Sequence, residues 1–312
     1  MQASDTALEP KPRTSILCRI EHSPRLQLVV LALIVALGAG LRLYNVDWDD
    51  GTHLHPDERF LTMVENGLSW PTSLNQYWDT ANNPLNPYNS TQGSYVYGLF
   101  PVAAAKLAGE ASGYTGYFGV HLAGRVLSAL ADIGSILLVF FIGRRLYSAK
   151  VGLLGAFLLS VSVLAIQNSH FFTVDNFTTF FVTLALYYAV RVAQGRSWRN
   201  LIALGFAFGM AASCKINTLS FLAVIGPALL LRMQARKQSA DTTRRRWRLV
   251  VRLESPKADA PTTPPRPTSP LWRAALEMLV VLIVAFFTFR IVQPQAFMGP
   301  GFFGLTINDK WV

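Results

Sequence analysis

Apolar residues along this chain gather into blocks separated by short polar stretches. They run from Leu26 to Tyr44, Phe118 to Ile142, Val151 to Ile166, Phe177 to Val190, Leu201 to Ala212, Leu219 to Leu231 and Leu276 to Val292. Several approach the roughly 20 residues that carry a helix across a bilayer core, and the shorter ones can extend through polar flanks. The pattern predicts an all-α, polytopic membrane bundle of about seven transmembrane helices. The first outer loop is long and carries interfacial helices: Pro56 suits a first helical position, and Phe60, Leu61, Val64 and Leu68 then share a face. The segment "SYVYGLFPVAAAKLAG" from Ser94 is apolar, short and interrupted by Pro101, which suits a second embedded or interfacial helix.

Charge orients the bundle, because basic loops are retained on the cytoplasmic side. Arg13, Arg19 and Arg25 precede the first block; Arg144, Arg145 and Lys150 follow the second; Arg191, Arg196 and Arg199 follow the fourth. The stretch between the sixth and seventh blocks is the most basic, with Arg244, Arg245 and Arg246 in a row. The N-terminus is therefore expected inside. Residues 1–25 read as a cytoplasmic tail, 26–231 as the transmembrane core with its outer loop at 45–94, and 232–274 as a basic, Pro-rich cytoplasmic linker. Residues 275–292 read as the seventh span and 293–312 as an outer tail that ends without a closing element, as in the N-terminal part of a longer protein. The first block also has the parts of a signal peptide, but it is long for one and six more follow.

With 51% hydrophobic and 15% charged residues, the chain is too apolar for one soluble domain, and its net charge of +10 sits in the inner loops. Anionic lipid headgroups are the expected partner of those loops, and no nucleic acid. Cys18 and Cys214 fall on opposite sides, so no disulfide framework is expected. "NST" at Asn89 is a glycosylation acceptor pattern.

The densest chemistry is "THLHPDERF", residues 52–60. Acidic residues in a first turn favour the helix dipole, and Glu58 three residues after His55 mimics a capping box. Other ionisable residues converge on the same face. His121, Arg125, Ser128 and Asp132 share one side of the second span, Asp175 lies in the outer turn after the third, and Lys215 in the outer turn after the fifth. Each also has a structural explanation: Arg125 with Asp132 as an ion pair, Asp175 as a cap, Lys215 snorkelling to the interface. Together they suit sugar transfer, in which a carboxylate takes the proton of an attacking hydroxyl and Arg or Lys neutralises a phosphate leaving group. No cofactor is certain; "DWDD", with Asp47 and Asp49 in Asp-x-Asp spacing near His53 and His55, is a weak candidate divalent-cation site.

The ordered set "HPDERF", "SYVYGLFPVAAAKL", "GRVLSALADIGSILLVFFIGRRLYSAKVGLLGAFLLSVSV", "HFFTVDNFTTFFVTLALYYAV" and "ASCKINT" resembles the GT-C superfamily of integral-membrane glycosyltransferases. The nearest branch is the lipid-carrier-dependent group of protein O-mannosyltransferases and aminoarabinose transferases of lipid A. The resemblance covers roughly residues 26–231. It implies transfer of a sugar from a polyprenyl-phosphate donor, with inversion, to a lipid, protein or glycan acceptor at the outer face of a plasma membrane, most simply a bacterial inner membrane. It assigns Asp57 and Glu58 to catalysis and matches Asp175 and Lys215 to acidic and basic positions of the family. His55, Arg59, Arg125, Asp175 and Lys215 are the expected substrate-binding residues, Arg125 and Lys215 at the carrier phosphate. Alternatives are a flippase for lipid-linked sugars, since paired intramembrane charges also suit a transport path, or an inactive membrane scaffold.

Overall fold

A computed structural model describes residues 23–90, 93–195, 197–235, 270–299 and 301–310. The N-terminal tail and most of the expected linker, with Cys18 and Arg244 to Arg246, lie outside the described residues. All seven apolar blocks are helical. α1 spans Pro24–Leu43, α5 Val120–Leu146, α6 Ala149–Ser160, α7 Val163–Ser169, α8 Val174–Gln194, α9 Arg199–Ala212 and α11 Pro270–Val292. α10 is the span Ile216–Ala235, which opens with a 3-10 turn. Three short helices lie in and after the first loop: α2 Pro56–Asn66, α3 Leu74–Trp78 and α4 Leu99–Ser112. α5 is the hub, packing against α1, α4, α6 and α8, while α9 packs between α8 and α11.

The expected count of about seven spans is reached only in part. Among the described residues, four helices, α1, α5, α10 and α11, are long and apolar enough to cross a bilayer, and α6 with α7 makes a fifth if read as one bent span. α8 has 21 residues but opens on Asp175, Asn176, Thr178 and Thr179, and α9 has only 14. The chain is a multi-pass membrane protein. α9 meets α11 through Gly205 and Gly209, one turn apart, where an added Cβ would lie 2.6 Å from the Val281 and Ala285 carbonyl oxygens. Small residues at this spacing let membrane helices approach backbone to backbone.

The third block breaks at Val161 and Ser162, and α7 leaves α6 at 58°. The cause is a buried arginine in the last turn of α1. Arg42 donates to the Ser160 carbonyl at 2.8 Å and to the Leu159 carbonyl at 3.0 Å, the latter shared with the Ser162 amide, and its Nε holds Asp132 of α5 at 2.6 Å. Asp132 therefore pairs with Arg42, and the alternative of a structural ion pair with Arg125 is not realised.

The two loop helices form as their sequence demands. Leu61, Val64 and Leu68 are buried on one side of α2, packed with Val102 and Ala105 of α4. Beyond α11 the chain turns back: β1 (Phe297–Met298) pairs antiparallel with β2 (Thr306–Ile307). Arg290 fixes this turn, donating to the Gly301, Phe302 and Gly304 carbonyls with its guanidinium 4.8 Å over the Trp78 ring. Asn89, exposed on the loop, donates its amide to the Thr80, Ala81 and Asn83 carbonyls and so braces it.

Candidate functional site

The site is built where α2 starts against α5. His55 caps α2: its Nδ1 accepts from the Asp57 amide at 3.2 Å, and Pro56 occupies the first helical position. Glu58 does not close the capping box. It turns inward and is fully buried, accepting from Arg125 Nε at 2.9 Å and Nη2 at 2.5 Å and from the Phe172 amide at 2.7 Å. Arg125 also donates to Asp49 Oδ2 at 2.9 Å and to the Val46 carbonyl at 2.9 Å. This bidentate pair joins the first loop, α5 and the α7–α8 turn around one guanidinium, which is 1% exposed. Trp48 covers it at 5.6 Å, with its indole N–H on the His170 carbonyl. Burial alone would raise the Asp49 carboxyl, but the hydrogen bond and charge of Arg125 and the Leu54 and Gly51 amides outweigh it and bring it down to about 2.

With Glu58 turned inward, Asp57 in the same turn stays half-exposed. Beside it stands Tyr97, whose phenol is pushed up to about 12 by burial first, then by the neighbouring carboxylates of Asp57 and Asp175. At neutral pH Tyr97 therefore keeps its proton and faces Asp57 as a donor. Asp175, in the first turn of α8, accepts from Lys215 Nζ at 2.9 Å, and the two side chains are 45% and 33% exposed. Tyr97 is brought to Lys215 by Gly98: its amide donates to the Cys214 carbonyl at 2.9 Å, and an added Cβ would lie 1.7 Å from the Ser213 carbonyl oxygen. Any side chain there would push the two strands of backbone apart. Arg59 is exposed and donates to the His53 carbonyl at 3.1 Å.

The sequence model of the dolichyl-phosphate-mannose-protein mannosyltransferase family matches residues 117–250, which span α5 to α10. Among solved structures, the chain is similar to the S. cerevisiae protein O-mannosyltransferase Pmt1–Pmt2 complex bound to the sugar donor, with a TM-score of 0.59 at 15% identity over 88% of this chain. That likeness shows a shared membrane-helical fold. A second similar structure is an Archaeoglobus fulgidus oligosaccharyltransferase tethered to an acceptor peptide, with a TM-score of 0.48 at 15% identity over 86% of this chain. The chain spans 34% of the length of each of these two proteins. No curated protein matches it.

Within this fold, the expected site residues divide into two layers. Asp57, Asp175 and Lys215 lie at one end of the bundle around Tyr97, with partly exposed polar atoms. Arg125 and Glu58 form the sealed layer beneath, and His55 holds the turn that links the layers. Sequence reasoning missed Tyr97 and Arg42. Tyr97 sits in an apolar stretch with no charged neighbour, and Arg42 reads as one more basic residue at the end of a span. Asp47 and Asp49 do approach a histidine, but it is His121 rather than His53 or His55.

Proposed function

We propose that this protein is a membrane glycosyltransferase that moves a sugar from a polyprenyl-phosphate donor to an acceptor hydroxyl at the outer face, with inversion. The observation that carries this reading is the gathering of Asp57, Tyr97, Asp175 and Lys215 at one end of a GT-C bundle. In the reaction, the Asp57 carboxylate takes the acceptor proton as the hydroxyl oxygen attacks the anomeric carbon. The bond from that carbon to the phosphate oxygen breaks on the opposite face, and the electron pair leaves with the phosphate. Lys215 lies close enough to the surface to meet that charge, and Asp175 holds its ammonium in place. Tyr97 orients Asp57. Arg125 acts through Glu58 as a positioning group, since its donors are directed at Glu58, Asp49 and Val46.

An outer acceptor face is supported by the basic residues Arg144, Arg145, Arg191 and Arg199, which gather at the ends of the helices away from Asp57. The test is to reconstitute the chain in lipid and offer radiolabelled polyprenyl-phosphate sugars, following release of sugar to water or acceptor. Turnover that disappears in Asp57→Asn supports the proposal. Bound donor carried across the bilayer without release would replace it with the flippase reading.

A further inference from the structure

The loop between α1 and α2 holds a second polar centre that sugar transfer does not use. Asp47, Asp49 and His121 each point one donor atom at a common space, and these atoms all lie within 4.8 Å of one another. His121, in the first turn of α5, is 1% exposed, and neither ring nitrogen has a hydrogen-bond partner. Asp49 uses Oδ2 on Arg125 and leaves Oδ1 buried without a partner. His53 packs edge-on against His121 with ring centroids 4.4 Å apart, and its Nε2 is buried and unpartnered as well. Buried polar atoms left without partners are costly, so the orphaned Asp49 Oδ1 and His121 ring nitrogens beside Asp47 call for a ligand.

Charge and donor type decide which. Two buried carboxylates, Asp49 and Glu58, pair with the one Arg125 guanidinium, Asp47 adds a third carboxylate beside His121, and Arg59 is exposed with its guanidinium on the His53 carbonyl. An added dication would balance that excess, whereas an anion would deepen it. Neutral imidazole with carboxylate oxygens favours a borderline transition ion over Mg²⁺ or Ca²⁺, which take oxygen donors. We propose that Asp47, Asp49 and His121 form a Zn²⁺ site that locks the first outer loop. With Zn²⁺ at about 2.1 Å from each donor, tetrahedral neighbours stand about 3.4 Å apart. His121 Nε2 and Asp47 Oδ1 are 4.0 Å apart and all three donors lie within 4.8 Å, so they draw together by at most about 1.4 Å on loading. Asp49 then bridges the ion and Arg125, which ties the metal to the pair that holds Glu58 and, one residue away, Asp57. The ion is a positioning element and touches no reacting atom.

The experiment uses the full chain in detergent, stripped with chelator and titrated with Zn²⁺, with Co²⁺ as a spectroscopic stand-in. One equivalent of Zn²⁺ should survive desalting, and Co²⁺ should give the d–d absorption of a four-coordinate nitrogen and oxygen site. Asp47→Asn and His121→Gln should each weaken binding at least tenfold, while Asp50→Asn, exposed on the same loop, should leave it unchanged. If His121→Gln fails to fold, Asp47→Asn still decides, because that side chain is 55% exposed. Absence of stoichiometric binding in the wild type, or equal affinity in wild type and Asp47→Asn, overturns the proposal. Neither result depends on sugar transfer.

Discussion

Glu58→Gln removes one negative charge from a side chain that accepts three hydrogen bonds, two from Arg125 and one from the Phe172 amide. The amide is nearly isosteric, so packing is preserved and the electrostatics carry the effect. With its oxygen in the Oε2 position, the substituted side chain keeps the Arg125 Nε and Phe172 contacts but points an NH₂ at Arg125 Nη2. A charge-assisted bond becomes a donor facing a donor, and Arg125 keeps only Asp49 as a buried counter-ion. Losing such a bond costs about 1.5–3 kcal/mol, and removing one partner of a buried pair about 3–5 kcal/mol, so about 3 kcal/mol is expected here. By contrast, Asp175→Asn breaks a partly exposed pair and should cost no more than about 1 kcal/mol. The assay is thermal unfolding in one detergent, read by tryptophan fluorescence. For a chain of this size, about 3 kcal/mol corresponds to roughly 6–12 °C. A double variant with Arg125→Met should be less unstable than the two single effects added together. Unfolding of Glu58→Gln within a degree of wild type, or simple additivity, would refute the claim that this pair clamps the loop to the bundle.

Arg42→Met should destabilise by about 3–5 kcal/mol, because it strands Asp132 and uncaps the break after Ser160; a fall under about 1 kcal/mol would contradict that account of the bend. Glu65 is buried, and burial first, against the pull of Lys106, raises its pKa. A carboxyl raised by folding adds stability below its unfolded pKa and loses it as pH rises through the folded value. Glu65→Gln should therefore raise the melting temperature at pH 7–8 and converge with wild type below the unfolded pKa, while Lys106 retains Glu110 at 3.1 Å; a pH-independent difference would show another cause. Lys215→Met should raise KM for the lipid-phosphate donor, about tenfold, with the melting temperature unchanged, and an unaltered KM would remove Lys215 from the phosphate.

How much of this was legible in the sequence depends on which physical signal carried each part. The apolar stripe of α2 was readable because Leu61 and Val64, with Leu68 just past its end, repeat at helical spacing, and α4 because its apolar run is short; Pro101, read as an interruption, sits in the first turn of α4 instead. The meeting of Asp175 with Lys215 followed from loops that alternate sides. Partner choice along α5 was not readable. Spacing puts Arg125 and Asp132 on one stripe, but their partners come from Arg42 and from a loop in which Asn45, Asp50 and His53 take positive φ, a conformation that residue type does not announce. The bend after α6 was hidden for the same reason, since its stabilising donor is more than a hundred residues away. Tyr97 reached the site through the Gly98 contact, which only the folded chain reveals.

The most direct measurement follows donor binding and sugar release in the same reconstituted sample, comparing wild type with Asp57→Asn. A positioned general base contributes about 10²–10⁴-fold. The account predicts equal binding of the lipid-phosphate sugar and release slowed at least about 100-fold in the variant. Equal release rates with equal binding would contradict it and move the base elsewhere in the site.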